Sequence, residues 1–226
     1  MTSAVATNHE ETKRKRRRIA LVGGTGDLGL GLAARLARAY DVTVGSRDAA
    51  RAAEAAAEAS RLSGVRVEGA ENVEAARASD IAVLAIPSLP SDDVLDSLKP
   101  AVAGKLVVSP IVPMEVRDGL FSAPPAASSA AERVASVLAT RGAAAFHTVP
   151  AARLLEVGRA LDYDVLVTAD TRAVYDEAAA VVSSIPGLRP LYAGPLRNSR
   201  MVEEMTPNLL NVGKLNGIKH PSIRVV

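Results

Sequence analysis

Cysteine is absent from the 226-residue chain, which excludes disulfides, thiol catalysis and cysteine-ligated metals and is compatible with a reducing cytoplasm. Tryptophan is also missing and aromatics reach only 3%, so any core has to be built from Ala, Val and Leu. Such a core suits a parallel sheet covered by helices better than a β-sandwich. No apolar run approaches the length of a membrane span, and the expectation is a soluble protein. The net charge of +2 gives little overall field to attract a polyanion. With three dispersed His and no Cys, a metal site is not expected.

Hydrophobic residues make up 48% of the chain, enough for one sizeable core with a small second lobe. Arg18-Ile-Ala-Leu-Val-Gly-Gly-Thr-Gly-Asp-Leu-Gly-Leu-Gly31 organises it. An apolar run at Ile19–Val22 breaks into glycines and then becomes the helical pattern Leu28, Leu32, Leu36. Within this strand–turn–helix, Gly24-Thr25-Gly26-Asp27-Leu28-Gly29 fits the G-x-G-x-x-G dinucleotide fingerprint. Gly24 is expected to allow the tight turn, Gly26 the approach of a pyrophosphate, and Gly29 close packing of helix on strand. The helix N-terminus then faces the phosphates. The alternative is a glycine-rich turn without a ligand.

The second strand, Val42–Arg47, decides which dinucleotide. An acidic residue at its tip would bind the 2′-hydroxyl of NAD, whereas arginine accommodates the 2′-phosphate of NADP. The tip here is Ser46-Arg47, with Arg51 one turn into the next helix and Asp48 placed to cap that helix. Two guanidinium forks and a hydroxyl read as a 2′-phosphate clamp, and NADP is the expected cofactor. The bland alternative is that Arg47 and Arg51 are ordinary surface charges.

Further along, a helix is expected over Ala49–Leu62, a short strand over Val65–Val67 and a short helix over Asn72–Ala78. Asp80–Pro87 reads as a strand buried on both faces, ending in Ile86-Pro87 where open α/β sheets put their ligands. Another helix over Asp92–Leu98 and a strand over Lys105–Ser109 complete a doubly wound pattern. Arg117–Pro125 reads as a loop, and Ser128 as the start of a helix reaching Leu138. Strands follow at Ala143–Val149, Asp164–Thr168 and Leu188–Tyr192, with a helix over Thr171–Ser184. A final helix over Asn198–Asn216 carries Met201, Met205, Leu209 and Val212 on one face, and Pro207 predicts a kink or break in it. The fold class is α/β, a doubly wound and mostly parallel Rossmann-like sheet. The expected division is a basic disordered tail over 1–18, an NADP-binding domain over 19–149, and a small C-terminal α/β lobe over 150–226. For the tail, which ends in Lys13–Arg18, contact with nucleic acid or a membrane surface is set against a solvated extension, the favoured reading.

The later motifs point to a family. Gly23–Gly29, Val44–Arg47, Val107-Val-Ser-Pro-Ile-Val-Pro113, Ser129–Arg133, Phe146-His-Thr-Val-Pro-Ala-Ala-Arg153, Gly187–Pro190 and Ala193-Gly-Pro-Leu-Arg-Asn-Ser-Arg200 occur together and in order. They resemble the NADPH-dependent coenzyme F420 reductases, or F420H2:NADP oxidoreductases, from Ile19 onward. That resemblance implies hydride transfer between NADP(H) and the 8-hydroxy-5-deazaflavin coenzyme F420. It also implies pyrophosphate contacts from Thr25 to Leu28 and 2′-phosphate contacts from Ser46, Arg47 and Arg51, where the family often has Lys for the last. Ile86, with Pro87 beside it, and the Ile111-Val112-Pro113 loop would border the nicotinamide, with Ala151 near it; Ser222 falls where the family contacts the deazaflavin. Ser88-Leu-Pro90 departs from members with aromatic or polar residues there, and the C-terminal segment is divergent.

Hydride transfer between stacked rings needs orientation within about 3–3.5 Å rather than side-chain acid–base chemistry. This agrees with the lack of any nucleophile–base pair, paired-carboxylate or metal motif. No side chain is therefore assigned a catalytic role outright. His147, at a strand end, is the one candidate, as a hydrogen bond to a ring carbonyl or carboxamide, against a satisfied structural histidine. His9 and His220 are expected to be exposed. Arg153, Arg197, Arg200 and Lys214 are candidates to attract the anionic tail of F420, with a solvated basic face as the alternative. Met201 and Met205 read as core or dimer contacts. Two rival functions remain. One is NADPH-dependent reduction of a flavin, imine or small carbonyl compound, with Tyr163, Tyr175 or Lys214 as proton donor. The other is a non-catalytic NADP(H)-sensing module. A cytoplasmic homodimer is expected, because a short chain without a large second domain can close its cleft against another copy.

Overall fold

A computed structural model describes residues 16–226. The first half alternates strand and helix: β1 (Arg18–Val22), α1 (Asp27–Leu36), β2 (Asp41–Ser46), α2 (Ala49–Ser63), β3 (Glu68–Glu71), α3 (Asn72–Ala78), β4 (Ile81–Leu84), α4 (Asp92–Val102) and β5 (Leu106–Ser109). A hairpin follows, β6 (Glu115–Arg117) and β7 (Leu120–Ser122), and then α5 (Ala130–Leu138), β8 (Arg141–Ala144) and α6 (Ala151–Leu155). The chain ends with β9 (Tyr163–Ala169), α7 (Arg172–Ser183), β10 (Leu188–Tyr192) and α8 (Ser199–Asn216).

One eight-stranded sheet runs β10-β9-β8-β5-β4-β1-β2-β3. Every pairing in it is parallel except β8 with β9. The order reverses at β1, which pairs with β2 on one side and β4 on the other. That switch point leaves a crevice beyond the strands' carboxyl ends, the place where such sheets take ligands. β1 is buried on both faces. Ile19 and Leu21 join the core under α1, α2 and α7, whereas Ala20 and Val22 join the one under α3, α4 and α5. Residues 150–226 add β9 and β10 to this same sheet.

Local chemistry sets the helix limits. Asp48 caps α2 by accepting from the Ala50 and Arg51 amides, and Gly64 ends it in the left-handed region. Ser129 and Glu132 form a reciprocal capping box on α5, and the Thr171 hydroxyl caps α7.

Several sequence expectations shift. The strand expected at Val65–Val67 lies at Glu68–Glu71, on the sheet edge, and Val67 is buried just ahead of it. An edge strand needs no apolar alternation, so the valines marked the buried approach instead of the strand. The strand expected through Val149 stops at Ala144, and Phe146 turns the chain with φ +72° while its ring is fully buried. The loop expected at Arg117–Pro125 contains most of the β6–β7 hairpin, held to α8 by the Asn211 side chain, whose amide both accepts from and donates to the Phe121 backbone. α8 continues unbroken through the buried Pro207. Met201 and Met205 are exposed, so the core reading of that pair fails.

The expected tail at 1–18 falls mostly outside the described residues, and with it His9 and Lys13. Arg18 opens β1, with its guanidinium on Asp80 at 3.2 Å, and Arg17 reaches Glu177. No helix among the described residues is long and apolar enough to cross a membrane.

Candidate active site

The glycine turn is shaped mainly by what cannot fit. Gly23 takes φ +71°, and its N–H donates to Asn72 Oδ1 at 2.9 Å from the first residue of α3. Left-handed freedom is thus needed at Gly23, one residue ahead of the Gly24 expected to allow the tight turn. Gly24 is required by contact, since a Cβ there would lie 2.7 Å from Leu21. A Cβ on Gly29 would fall 2.4 Å from Gly24 Cα, so only glycine lets α1 approach β1 this closely. Gly26 differs, because nothing lies within 4 Å of its missing side chain. It is the α1 N-cap and supplies no side-chain cap, so the first amides of α1, around the exposed Asp27, face open space. Thr25 and Leu28 flank that space, half-buried.

A cleft of about 720 Å³ extends from this turn to the tip of β2 and is lined by Thr25, Ser46, Arg47, Arg51 and Asn72. Ser46 is nearly buried, and its hydroxyl accepts from the Asp48 amide. The Asp48 carboxylate is committed to capping α2. Arg47 and Arg51 are exposed, and among the described residues neither guanidinium has a hydrogen-bond or ion-pair partner. Two unpaired guanidinium groups beside a hydroxyl and a capped helix start can hold a phosphomonoester dianion.

Ile86 and Pro87 form the seam between this cleft and a second one of about 420 Å³. Here Leu28, Val112 and Ala151 meet Met114, Leu209 and Leu210, so the first turn of α1, the β5–β6 loop, α6 and α8 converge on one apolar slot. Of the residues expected in the site, Leu28, Ile86, Pro87, Val112, Ala151 and His147 lie together in this slot. Ser222 does not line it. Its hydroxyl donates to the Thr148 carbonyl at 2.8 Å and acts on the slot wall through the backbone. Asn72, Met114 and the α8 residues Thr206, Leu209 and Leu210 were not singled out as site residues. Only Asn72, as the first residue of a helix following a strand, carried a signal that could have found it.

His147 is 7% exposed, and neither ring nitrogen has a hydrogen-bond partner among the described residues. Its carbonyl accepts from the Thr206 hydroxyl at 2.9 Å, tying it to α8. Burial lowers its pKa to about 4, so the ring is neutral at physiological pH. A neutral imidazole offers one donor and one acceptor to the slot. The unfolded chain takes up this proton near pH 6.5 while the folded protein resists it until about pH 4. The contribution of His147 to stability is therefore complete above 6.5 and declines as pH falls through that window. Between pH 7 and 4.5 the loss amounts to about 2 kcal/mol. Urea titrations across this range should show a flatter acid limb for His147→Gln than for the parent chain; parallel limbs would contradict a buried neutral ring.

The cations expected to attract an anionic tail are largely engaged. Arg153 bonds Glu156 and the Tyr163 hydroxyl, Arg200 bonds Glu204 and the Ala126 carbonyl, and Lys214 donates to the Gly119 carbonyl. Arg197 is exposed, with no such partner among the described residues. Tyr175 packs edge-on against Tyr192, and neither it, Tyr163 nor Lys214 lines the slot. His220 is exposed as expected, yet it borders the slot with Pro221. No cluster of His, Cys, Asp or Glu suited to a metal ion occurs among the described residues.

The profile of the family described as NADP oxidoreductase, coenzyme F420-dependent, matches residues 18–113, the stretch from β1 through the Ile111-Val112-Pro113 loop, of which only Val112 lines the slot. The F420-dependent NADP reductase of Methanothermobacter thermautotrophicus is 38% identical over 223 residues, covering 92% of this chain and 94% of that protein. The chain belongs to this family. The F420-dependent NADP reductase of Methanocaldococcus jannaschii is 33% identical, over 92% of this chain and 97% of that one. Among solved structures, an Arthrobacter sp. FB24 protein provisionally described as an F420-dependent NADP reductase superposes with a TM-score of 0.76. That likeness spans 93% of this chain and 99% of the other at 21% identity, and so speaks for the shared fold. Family membership agrees with the doubly wound α/β sheet found here.

Proposed function

We propose that this F420-dependent family member transfers hydride between NADP(H) and the deazaflavin coenzyme F420, in the sense NADPH + oxidised F420 ⇌ NADP⁺ + reduced F420. The observation that carries the reading is the joint at Ile86-Pro87, where a cleft with unpaired Arg47 and Arg51 opens into an apolar slot. When bound, the two coenzymes supply the hydride chemistry themselves, donating or accepting at ring carbon. The chain does the rest. Gly24 to Gly29 present the α1 amides to a pyrophosphate, and Ser46, Arg47 and Arg51 hold the 2′-phosphate. Ile86, Pro87, Val112 and Ala151 wall the nicotinamide end and exclude water. His147 orients a ring carbonyl or carboxamide by a single hydrogen bond, while Ser222 fixes the wall behind it.

The reading that invokes a small carbonyl or imine substrate needs a proton donor beside the reacting carbon. Its candidates Tyr163, Tyr175 and Lys214 all lie outside the slot lining. An NADPH-and-F420 assay is the direct test. Deazaflavin absorbance should fall only when both coenzymes are present, and NADPH binding without turnover would refute the proposal. His147→Ala is expected to lower kcat about tenfold with little effect on NADPH affinity.

A cytoplasmic homodimer fits the same reading. Met201, Met205, Val212 and Leu215 form an exposed apolar stripe along α8, the helix that walls the slot. Light scattering should give twice the chain mass for the parent protein and a single mass for Met205→Glu; a monomeric parent would end the dimer assignment.

A further inference from the structure

Beyond α8 the chain does not trail into solvent. Gly217 ends the helix in the left-handed region, and His220 takes φ +56° as the backbone turns back across the slot. The turn is packed closely, since a Cβ on Gly213 would lie 2.8 Å from the Ile218 carbonyl and 3.1 Å from Pro221. His220 and Pro221 then contribute to the slot lining. The Ser222 hydroxyl bonds the Thr148 carbonyl, next to His147, and the Ile223 carbonyl accepts from the Asp164 amide at 2.9 Å. Residues 218–223 thus form a strap, anchored at one end by α8 and at the other by the start of β9.

The far anchor is an ionic knot around a buried carboxylate, whose two arginine partners are about half exposed. Asp164 is fully buried and accepts both Arg189 Nε and Nη2, at 2.7 and 2.8 Å, from the adjacent strand β10. The same carboxylate accepts from Arg224 at 3.3 Å and from the Val225 amide. Arg189 returns a bond to the Val225 carbonyl. The paired guanidinium groups, Arg189 foremost, and the Val225 amide hold the Asp164 carboxyl down at about 2, so the knot keeps its charge across the neutral range. Each carboxylate oxygen takes two donors, and one side chain therefore joins two strands to the C-terminal segment.

We propose that Asp164 is a positioning residue for the hydride partner. Its knot with Arg189 and Arg224 holds the 218–223 strap as the outer wall of the apolar slot, so that affinity for the deazaflavin depends on a group that never touches it. The inference rests on the reading of the slot as the deazaflavin site. The strap borders the slot and not the cleft that holds Ser46, Arg47 and Arg51, so the 2′-phosphate clamp that anchors NADPH stays clear of it.

Asp164→Asn tests this sharply. In either orientation its NH2 group faces donors that the carboxylate accepted, and the knot opens. A chain ending at Ile223 is the gentler variant, removing Arg224, Val225 and Val226 while leaving Asp164 paired with Arg189. The measurements are kcat and KM for F420, Kd for NADPH, and amide hydrogen exchange over 218–223. KM for F420 should rise about tenfold in Asp164→Asn and less in the shortened chain, with kcat and the Kd for NADPH within about twofold. Exchange over the strap should accelerate in the same order. Faster exchange with an unchanged KM for F420 would overturn the proposal, and so would unchanged exchange. Should the parent protein not turn over F420 at all, the reading of the slot fails, while the exchange data still report whether Asp164 holds the strap.

Discussion

Replacing Arg47 with glutamate is expected to weaken NADPH binding by on the order of 100-fold while changing NADH binding by no more than a few-fold. The asymmetry follows from charge placement. Arg47 and Arg51 are exposed and unpaired among the described residues, so their donors are available to a ligand phosphate. The nearby Asp48 carboxylate is spent on the α2 amides. Glutamate removes a charge-assisted bond to the 2′-phosphate and adds a like charge beside a dianion. NADH, with a hydroxyl at that position, loses no such bond and meets no repulsion. Because the exposed Arg47 side chain makes no hydrogen bond or ion pair among the described residues, the fold should tolerate the change, and Tm should stay near that of the parent. Titrating both nucleotides by NAD(P)H fluorescence gives the comparison. Equal weakening of the two would move the phosphate clamp elsewhere.

Gly26→Val should abolish NADPH binding in a protein that otherwise folds normally. Gly26 has an extended backbone, φ −89° and ψ 172°, which valine adopts readily, and no atom lies within 4 Å of its Cβ position. As an N-cap, valine is poorer than glycine by about 1 kcal/mol, a minor loss. The added isopropyl group nonetheless occupies the space over the α1 amides through which a pyrophosphate must approach. A loss of at least about 100-fold in NADPH affinity with a nearly unchanged Tm is the expected pair of results. Gly29→Ala makes the contrast. Its Cβ would meet backbone at 2.4 Å, so α1 must be pushed off β1 and stability should fall by about 3 kcal/mol. If Gly26→Val retained full NADPH affinity, the dinucleotide would not cross the turn as described.

These expectations were legible in the sequence for a physical reason. Between Ile19 and Leu36 the pattern switches from a strand buried on both faces to a helical period across a run of glycines, and local sterics alone fix what that run can do. The Ser46-Arg47 tip was readable for the same reason, since it follows a strand whose end has to lie at the sheet's ligand-binding edge. The slot was less legible because it is assembled from distant parts of the chain. Leu209 and Leu210 look like any amphipathic helix until α8 is seen against the β5–β6 loop. Met201 and Met205, on the same helix, turn outward. Ser222 acts through the Thr148 carbonyl, a partner 74 residues away that no spacing rule suggests. The turn at Phe146 was hidden by its own composition, because Ala143–Val149 is apolar from entering the core and not from continuing a strand. Asp164 sat unremarked within an expected strand, and only the return of the C-terminal segment gives its charge a purpose.

The central claim is that hydride passes directly between two rings held in a water-excluding slot. Following the isotope tests it most directly: NADPH carrying deuterium at both C4 positions is mixed with oxidised F420 in ordinary water, and the reduced deazaflavin is examined by mass spectrometry and NMR. The account predicts one deuterium at C5 of every reduced deazaflavin formed. A product bearing only solvent protium at that carbon would contradict it.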